Sequence, residues 1–401
     1  MMVSTTSAPA SSMTTTYYVF VIAHPDDESM FFVPTIRALV DERLRKQQQL
    51  KHQHNSPHGN YVVWILCLTT GNYDGLGLVR RDELIQVAYG PNTILGCDKV
   101  IFLDDESEND KKNDEQLLLL LPQDHPTKRW NKEYVSSKIE ETLIQHIKMQ
   151  EQEEESEQQQ VQEEEIDEKM PSHRRVVLIT FDELGVSGHV NHRDTYYSVF
   201  DRIMKQMILG PSKVSIVEVK NKKPSPRTTK DVELHIEGWQ LYTEQNIFKK
   251  YIPIYDWIMF VYYWLCRLLQ QLLLIVSGSS TRNGGGTSSS FSSNNMNESS
   301  LSSLLMDGES SSSSSSSTTT TNCITFRNYK PWINWYAMKT HASQFVWYRR
   351  LFVIFSCYTY CNHLQPMIQQ QRRRQNSSSN RKSNSNDDDT TTTNKQKKKE
   401  E

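Results

Sequence analysis

The hydrophobic pattern of this chain is a series of short apolar runs, each cut off by polar or small residues. Tyr17 to Ile22, Tyr61 to Thr69, Lys99 to Asp104 and Val176 to Phe181 have strand length and largely lack alternation, which predicts strands buried on both faces of a sheet. Between them the period becomes helical. Phe31, Phe32, Ile36, Leu39, Val40 and Leu44 recur with Arg37, Asp41, Glu42 and Arg43 between them, an amphipathic helix that covers the sheet. Further helices are predicted over about Leu78 to Tyr89, over Asn131 to Met149 with Val135, Ile139, Leu143 and Ile147 on one face, and from Asn191 onward. Val232 to Tyr242 alternates as a half-buried strand does. Strands alternating with helices predict an α/β fold, a Rossmann-like three-layer sandwich around a mostly parallel sheet.

Composition trims this picture to one domain. The 401 residues leave room for two, but hydrophobic content is 36% and long tracts are compositionally biased. The expected organisation is a single domain over 17–276 and 322–364. Around it lie a disordered N-terminus at 1–16, an acidic Glu/Gln-rich insertion at 150–170, a disordered Ser/Thr/Asn-rich insertion at 277–321 and a disordered basic tail at 365–401. The Glu/Gln tract either extends the preceding helix or is disordered. His52, His54 and His58 fall in a polar stretch that reads as a loop. A formal net charge of −3 gives no reason to expect a nucleic-acid partner. Six cysteines without Cys-x-x-Cys spacing read as reduced thiols facing the cytosol. Met1 to Thr16 lacks a basic region followed by an apolar core, so no secretory signal or membrane anchor is expected there.

Candidate chemistry sits where two predicted strands end. Ala23-His24-Pro25-Asp26-Asp27-Glu28 follows the first, and Gly188-His189-Val190-Asn191-His192 comes shortly after the one at Val176. In open α/β sheets ligands bind beyond the carboxyl ends of the strands. His24 and Asp27 suit a divalent metal such as zinc, with Asp26 left over as a candidate base. An Asp pair after a strand is equally a helix cap, and a histidine pair alone is weak. Their occurrence in equivalent topological places strengthens both. Gly71 to Gly77 is glycine-rich and permits close backbone approach to a ligand, but its spacing is not a dinucleotide fingerprint.

At these residues the chain resembles the LmbE-like family of zinc-dependent de-N-acetylases. The resemblance runs from about Tyr17 to Leu364, with insertions. It includes Thr69-Thr70-Gly71-Asn72, then Arg81 and Glu83 with Leu95-Gly96, and late in the chain Met338 to Gln344 followed by Trp347-Tyr348-Arg349-Arg350. It implies the LmbE-like deacetylase fold. The late block points to the branch acting on a lipid-linked sugar, implying removal of acetate from N-acetylglucosaminyl-phosphatidylinositol, the second step of GPI-anchor biosynthesis. Also implied are His24, Asp27 and His192 as metal ligands and zinc as the metal. Asp26 then serves as general base and acid, and His189 as stabiliser of the oxyanion or proton donor to the leaving amine. Arg81, by the same resemblance, contacts the substrate phosphate, against the alternative of a surface ion pair. His341 contacts substrate, against the alternative of a hydrogen-bonded core residue. Asp182 and Glu183 are candidates to orient a ligand histidine. The rival readings are a soluble glucosaminide deacetylase and a catalytically inactive scaffold.

The expected partners are the glycolipid and a membrane surface, on the cytosolic face of the endoplasmic reticulum; nothing identifies protein partners. Lys398-Lys399-Glu400-Glu401 resembles a dilysine retrieval signal. Trp257 to Val276 is apolar and about long enough to span a bilayer, yet Arg267 near its middle disfavours spanning. An in-plane helix at the membrane interface is expected instead, against the alternative of a helix in the protein core.

Overall fold

A computed structural model describes residues 15–50, 61–105, 122–125, 127–159, 173–210, 212–217, 229–278 and 323–367. Most of the disorder expected at 1–16, 150–170, 277–321 and 365–401, with the dilysine end and His52, His54 and His58, lies outside the described residues, but Thr16 belongs to a strand, 277–278 end a helix, and 365–366 pair in a strand followed by buried Met367, because each continues a neighbouring element. In chain order the strands are β1 (Thr16–Ile22), β2 (Tyr61–Cys67), β3 (Lys99–Phe102), β4 (His173–Phe181), β5 (Ser212–Val217), β6 (Thr229–Leu241), β7 (Ile324–Arg327) and β8 (Cys361–Pro366). The main helices are α1 (Val33–Leu50), α2 (Gly77–Ala88), α3 (Lys132–Gln159), α4 (Val190–Leu209), α5 (Ile247–Tyr251), α6 (Ile254–Gly278), α7 (Trp332–Thr340) and α8 (Trp347–Phe355).

The strands form one eight-stranded sheet in the order β3-β2-β1-β4-β6-β8-β7, with β5 paired to β6. β3, β2, β1, β4 and β6 run parallel, while β5, β8 and β7 add antiparallel pairs. The α/β expectation with a mostly parallel sheet is met. All seven residues of β1 are buried, so its continuous apolar composition follows from having a layer on each face. Register shows the two layers. Val19, Leu178 and Gly238 lie across from one another and share a face, and Gly238 abuts Ile203 of α4. Phe20 is on the opposite face, with its ring 5.8 Å from that of Phe32 at the entry to α1. α3 packs on α4 and completes that layer.

Chain direction creates the site. From β1 the chain moves outward to β2 and β3, then returns to β4 on the other side of β1. The carboxyl ends of β1 and β4 therefore diverge at a topological switch point, where a crevice opens.

Several details differ from the sequence reading. α3 continues to Gln159, through the first part of the Glu/Gln tract. β5 was not anticipated, although Val214 and Ile216 alternate with polar residues. β7 and β8 join the sheet from the far end of the chain, because short edge strands are specified by the strand they pair with. α6 does not lie in the core: Ile258, Val261, Leu265, Leu268, Leu269 and Leu272 are exposed.

Gly238 permits α4 to approach β6, since a Cβ there would lie 1.9 Å from Ile203 Cδ1 and 2.9 Å from Met367 Sδ. Gly238→Ala is expected to lower unfolding stability by about 1 to 3 kcal/mol through overpacking. Adding Ile203→Val, which removes the opposing methyl, recovers part of that loss in denaturant titration.

Candidate active site

The loop after β1 is shaped by its own carboxylates. Ala23 and His24 amides donate to Asp27 Oδ2 at 3.0 and 2.9 Å, and the Asp26 amide donates to Glu28 Oε2 at 3.1 Å. Asp26 has φ of 118°, a sparsely populated conformation for a residue with a Cβ. Surrounding bonds hold it there: Ser29 and Met30 amides donate to its carbonyl, and Gln344 Nε2 donates to Pro25 O at 2.7 Å. A π-helical turn, Glu28–Phe32, then leads into α1.

The second strand end is built differently. Asp182, just beyond β4, accepts from the Leu184, Gly185 and Thr243 amides and from the Thr243 hydroxyl. This orders the turn whose Gly185 carbonyl lies 3.1 Å from His192 Nδ1. Gly185 is at φ 62°, and a Cβ there would stand 2.9 Å from His192 Cβ. Phe181 stacks on the His192 ring at 4.2 Å with an interplanar angle of 6°. Asp182 thus positions His192 through the turn. Glu183 offers its carbonyl to Arg193.

The two ends meet. His192 Nε2 lies 3.0 Å from Asp27 Oδ1, and the His24 ring centroid is 5.4 Å from His189 and 5.8 Å from His192. One ligand atom from each of His24, His189 and His192 lies within 4.8 Å of the others, so three imidazoles can converge on one metal ion. The expected trio was His24, Asp27 and His192. Asp27 adjoins this cluster, with Oδ2 engaged by backbone and Oδ1 against His192. His24 Nε2 also lies 3.2 Å from Asp124 Oδ1 and 2.9 Å from Asn191 Nδ2, while Asn191 Oδ1 is buried without a hydrogen-bond partner. This collection of nitrogen and oxygen donors fits a divalent metal of the zinc type.

Electrostatics separates the two adjacent carboxylates. Burial raises the Asp26 pKa to about 6, with Arg349 opposing the shift and Asp27 adding to it. Burial also disfavours charge on Asp27, but His192, His24 and backbone amides outweigh it and hold the pKa at about 2. Burial, then His192 and His24, lower the His189 pKa to about 4. Burial opposes charge on His24, yet Asp124, Asp27 and Asp26 hold its pKa above the ordinary value.

Two of the expected substrate residues are placed away from the cavity. His341 is wholly buried, with Nε2 2.6 Å from Glu28 Oε1, which is its core alternative. The sequence reading missed that it acts through Glu28 on the Asp26 amide. Arg81 lies over the Phe102 ring at 5.3 Å, and it is Arg80 that turns toward Gly71 O and Asp124. Side chains on one helix cannot share a direction at adjacent positions. Arg349, quoted only as part of a family block, is the arginine in the cavity, with Nη1 2.9 Å from Asp26 Oδ2. Asp124 had no local signal at all. A cavity of about 600 Å³ joins these groups, lined by His24, Asp26, Asp27, His189 and His192 and by Tyr251, Tyr348, Arg349, Leu351, Phe352 and Phe355.

A family model described as PIG-L: GlcNAc-PI de-N-acetylase matches residues 19–203 of this chain. A probable N-acetylglucosaminyl-phosphatidylinositol de-N-acetylase of Schizosaccharomyces pombe is 32% identical over 178 residues, 44% of this chain and 48% of that protein. The N-acetylglucosaminyl-phosphatidylinositol de-N-acetylase of Bos taurus is 27% identical over 178 residues, 43% and 45% of the two chains. A probable enzyme of the same name from Dictyostelium discoideum is 26% identical over 247 residues, 59% and 69% of the two. The match spans about half the length of the first two relatives.

His341→Ala is expected to destabilise the fold by about 3 to 5 kcal/mol, because it removes one partner of a fully buried pair and leaves Glu28 with only the Asp26 amide and the Ser29 hydroxyl. In a cycle with Glu28→Gln the losses should be clearly non-additive, as read by denaturant unfolding. Additive losses would show that the two side chains do not act as a pair.

Proposed function

Since residues 19–203 of this chain carry a PIG-L domain, we propose that it hydrolyses N-acetylglucosaminyl-phosphatidylinositol to glucosaminyl-phosphatidylinositol and acetate. This is the second step of GPI-anchor biosynthesis. The observation that carries the reading is the two-part cavity, with carboxylates and imidazoles on its floor and Tyr251, Tyr348, Leu351, Phe352 and Phe355 in its walls. A sugar amide suits the floor, and an attached lipid suits an apolar mouth.

His24, Asp27 and His192 would hold the metal, most suitably zinc, with His189 in reach of the same ion. Bound there, zinc lowers the pKa of a coordinated water to about 7 and polarises the acetamide carbonyl. Asp26, with its pKa near 6 and its backbone held by Glu28, takes the proton from the attacking water and returns it to the leaving amine. Arg349 holds the Asp26 carboxylate in place from the cavity side. His189, with its pKa lowered to about 4, is neutral at pH 7 and serves as a hydrogen-bond donor to the developing oxyanion or the leaving nitrogen.

The same reading places the protein on the cytosolic face of the endoplasmic reticulum membrane, attached through α6. Among the described residues no helix is long and apolar enough to cross a membrane. α6 turns the first part of its polar side inward, with Asp256 paired to Arg327 at 2.8 Å and Tyr263 stacked on Tyr329 at 4.3 Å, while Arg267, Gln270 and Gln271 further along are exposed. Its outer stripe is Ile258, Val261, Leu265, Leu268, Leu269 and Leu272. A helix covering a core has the reverse arrangement, and one lying in a bilayer interface has this one.

Full-length protein should release acetate from the lipid-linked substrate. Release only from a soluble N-acetylglucosaminyl-inositol would favour the soluble-deacetylase alternative. Asp26→Asn is expected to keep its metal while turnover falls by about 10² to 10⁴. His192→Ala should lose both, so equal metal loss in the two variants would reverse the assigned roles. Replacing Leu265, Leu268 and Leu272 by serine should release the protein from sedimented membranes and leave hydrolysis of a soluble substrate intact. Retention on the membranes would place the attachment elsewhere.

A further inference from the structure

The rim of the cavity has its own exposed apolar surface, distinct from the outer stripe of α6. Ile247 and Phe248 on α5 are 71% and 74% exposed, and Trp347 on α8 is 71% exposed, with exposed Ile354 about two turns further along the same face. α5 packs against α8, with Tyr251 and Phe352 rings 6.2 Å apart, so these side chains belong to one surface. That surface runs into the cavity without a polar break, because Tyr348, Leu351 and Phe355 are at once exposed and part of its lining. Exposed apolar area of this extent marks a contact that is not made among the described residues.

We propose that this rim is a docking surface for a bilayer carrying anionic phospholipid, and that it seats the mouth of the cavity directly on the membrane. Charge selects this occupant. Across α5, α6, α7 and α8 there is a single carboxylate, Asp256, and Arg327 neutralises it. The same helices expose Lys249, Arg267, Lys339 and Arg350. Aromatic side chains flanked by cations, with carboxylates excluded, match the boundary between acyl chains and anionic headgroups. The α6 stripe adjoins this surface, since Trp257 packs on Phe355 with ring centroids 6.2 Å apart. α6 then supplies attachment, while the rim supplies orientation. Docked in this way, a headgroup enters the cavity from the bilayer surface, and the acyl chains stay in or near the hydrocarbon. The inference deepens the proposed function by stating how a lipid-linked substrate reaches the site, and it rests on that reading only for the identity of the substrate.

The test uses full-length, metal-loaded protein, a Phe248→Ser/Trp347→Ser/Ile354→Ser variant, and substrate-free phosphatidylcholine vesicles with and without phosphatidylserine. None of the three positions lines the cavity. The variant should unfold at the wild-type temperature, hydrolyse a soluble substrate at the wild-type rate and bind the anionic vesicles at least about tenfold more weakly. Its turnover of substrate embedded in vesicles should fall by a similar factor. Unchanged vesicle affinity overturns the proposal, as does weaker binding that leaves turnover of embedded substrate intact. If wild-type protein self-associates in light scattering and the variant does not, with equal vesicle affinities, the occupant is a second copy and the proposal fails. Should the wild-type protein hydrolyse neither substrate, the functional reading fails, while the substrate-free vesicles still decide whether the rim docks.

Discussion

The structure around the cavity depends on the carboxylate of Asp27. One oxygen accepts the Ala23 and His24 amides and shapes the chain leaving β1; the other faces His192 Nε2 across the switch point. Two strand ends separated by about 160 residues of sequence are joined through it. Its pKa is held at about 2 by those histidines and amides, which favours its charged form near neutral pH. The neighbouring Asp26 is left with the proton-handling range. Two adjacent residues of one type are thus given opposite pKa shifts by their surroundings.

Much of this was legible in the sequence for a physical reason. A parallel strand covered on both faces must be continuously apolar, so β1 and β4 announced themselves, and polar residues just past them had to lie at the carboxyl ends. His24, Asp26, Asp27, His189 and His192 were found by that logic, and the structure gathers all five into one cavity. Family spacing identifies a helix position but not which neighbouring side chain faces the site, and Arg81 lies over the Phe102 ring. Arg80 takes the inward direction. His341 looked like a substrate residue because its block is rich in polar groups. Those groups instead serve the loop from behind.

That rear support explains why the distant end of the chain belongs to the same domain. Residues 323–367 return to the beginning of the chain at several points. His341 pairs with Glu28, Gln344 donates to Pro25, Arg349 meets Asp26, and Asn334 donates to the Ser29 carbonyl. Asn362 accepts from Thr35 and donates to Phe31 O at 2.8 Å. Each is a polar contact, buried on at least one side, with more than 300 residues of sequence between its partners. Periodicity cannot report such contacts, since it records which face a residue presents and says nothing of what meets it. Their collective effect is visible at Asp26, whose φ of 118° would be costly in a free loop.

The same segment that stabilises the loop also builds the apolar mouth. α8 contributes Arg349 inward to Asp26 and Trp347 outward to the surrounding medium, two positions that differ by about 200° around a helix. A shift in how α8 sits on its partners would therefore alter the base and the rim together. This coupling gives α8 a reason to be held on three sides, by Gln344 at its start, by α5 beneath it and by Trp257 of α6 against Phe355 at its end. A helix whose only task was to close a hydrophobic core would bury its large side chains, but α8 fully buries only Val353. In the docking proposed above, its remaining apolar surface faces hydrocarbon instead of water.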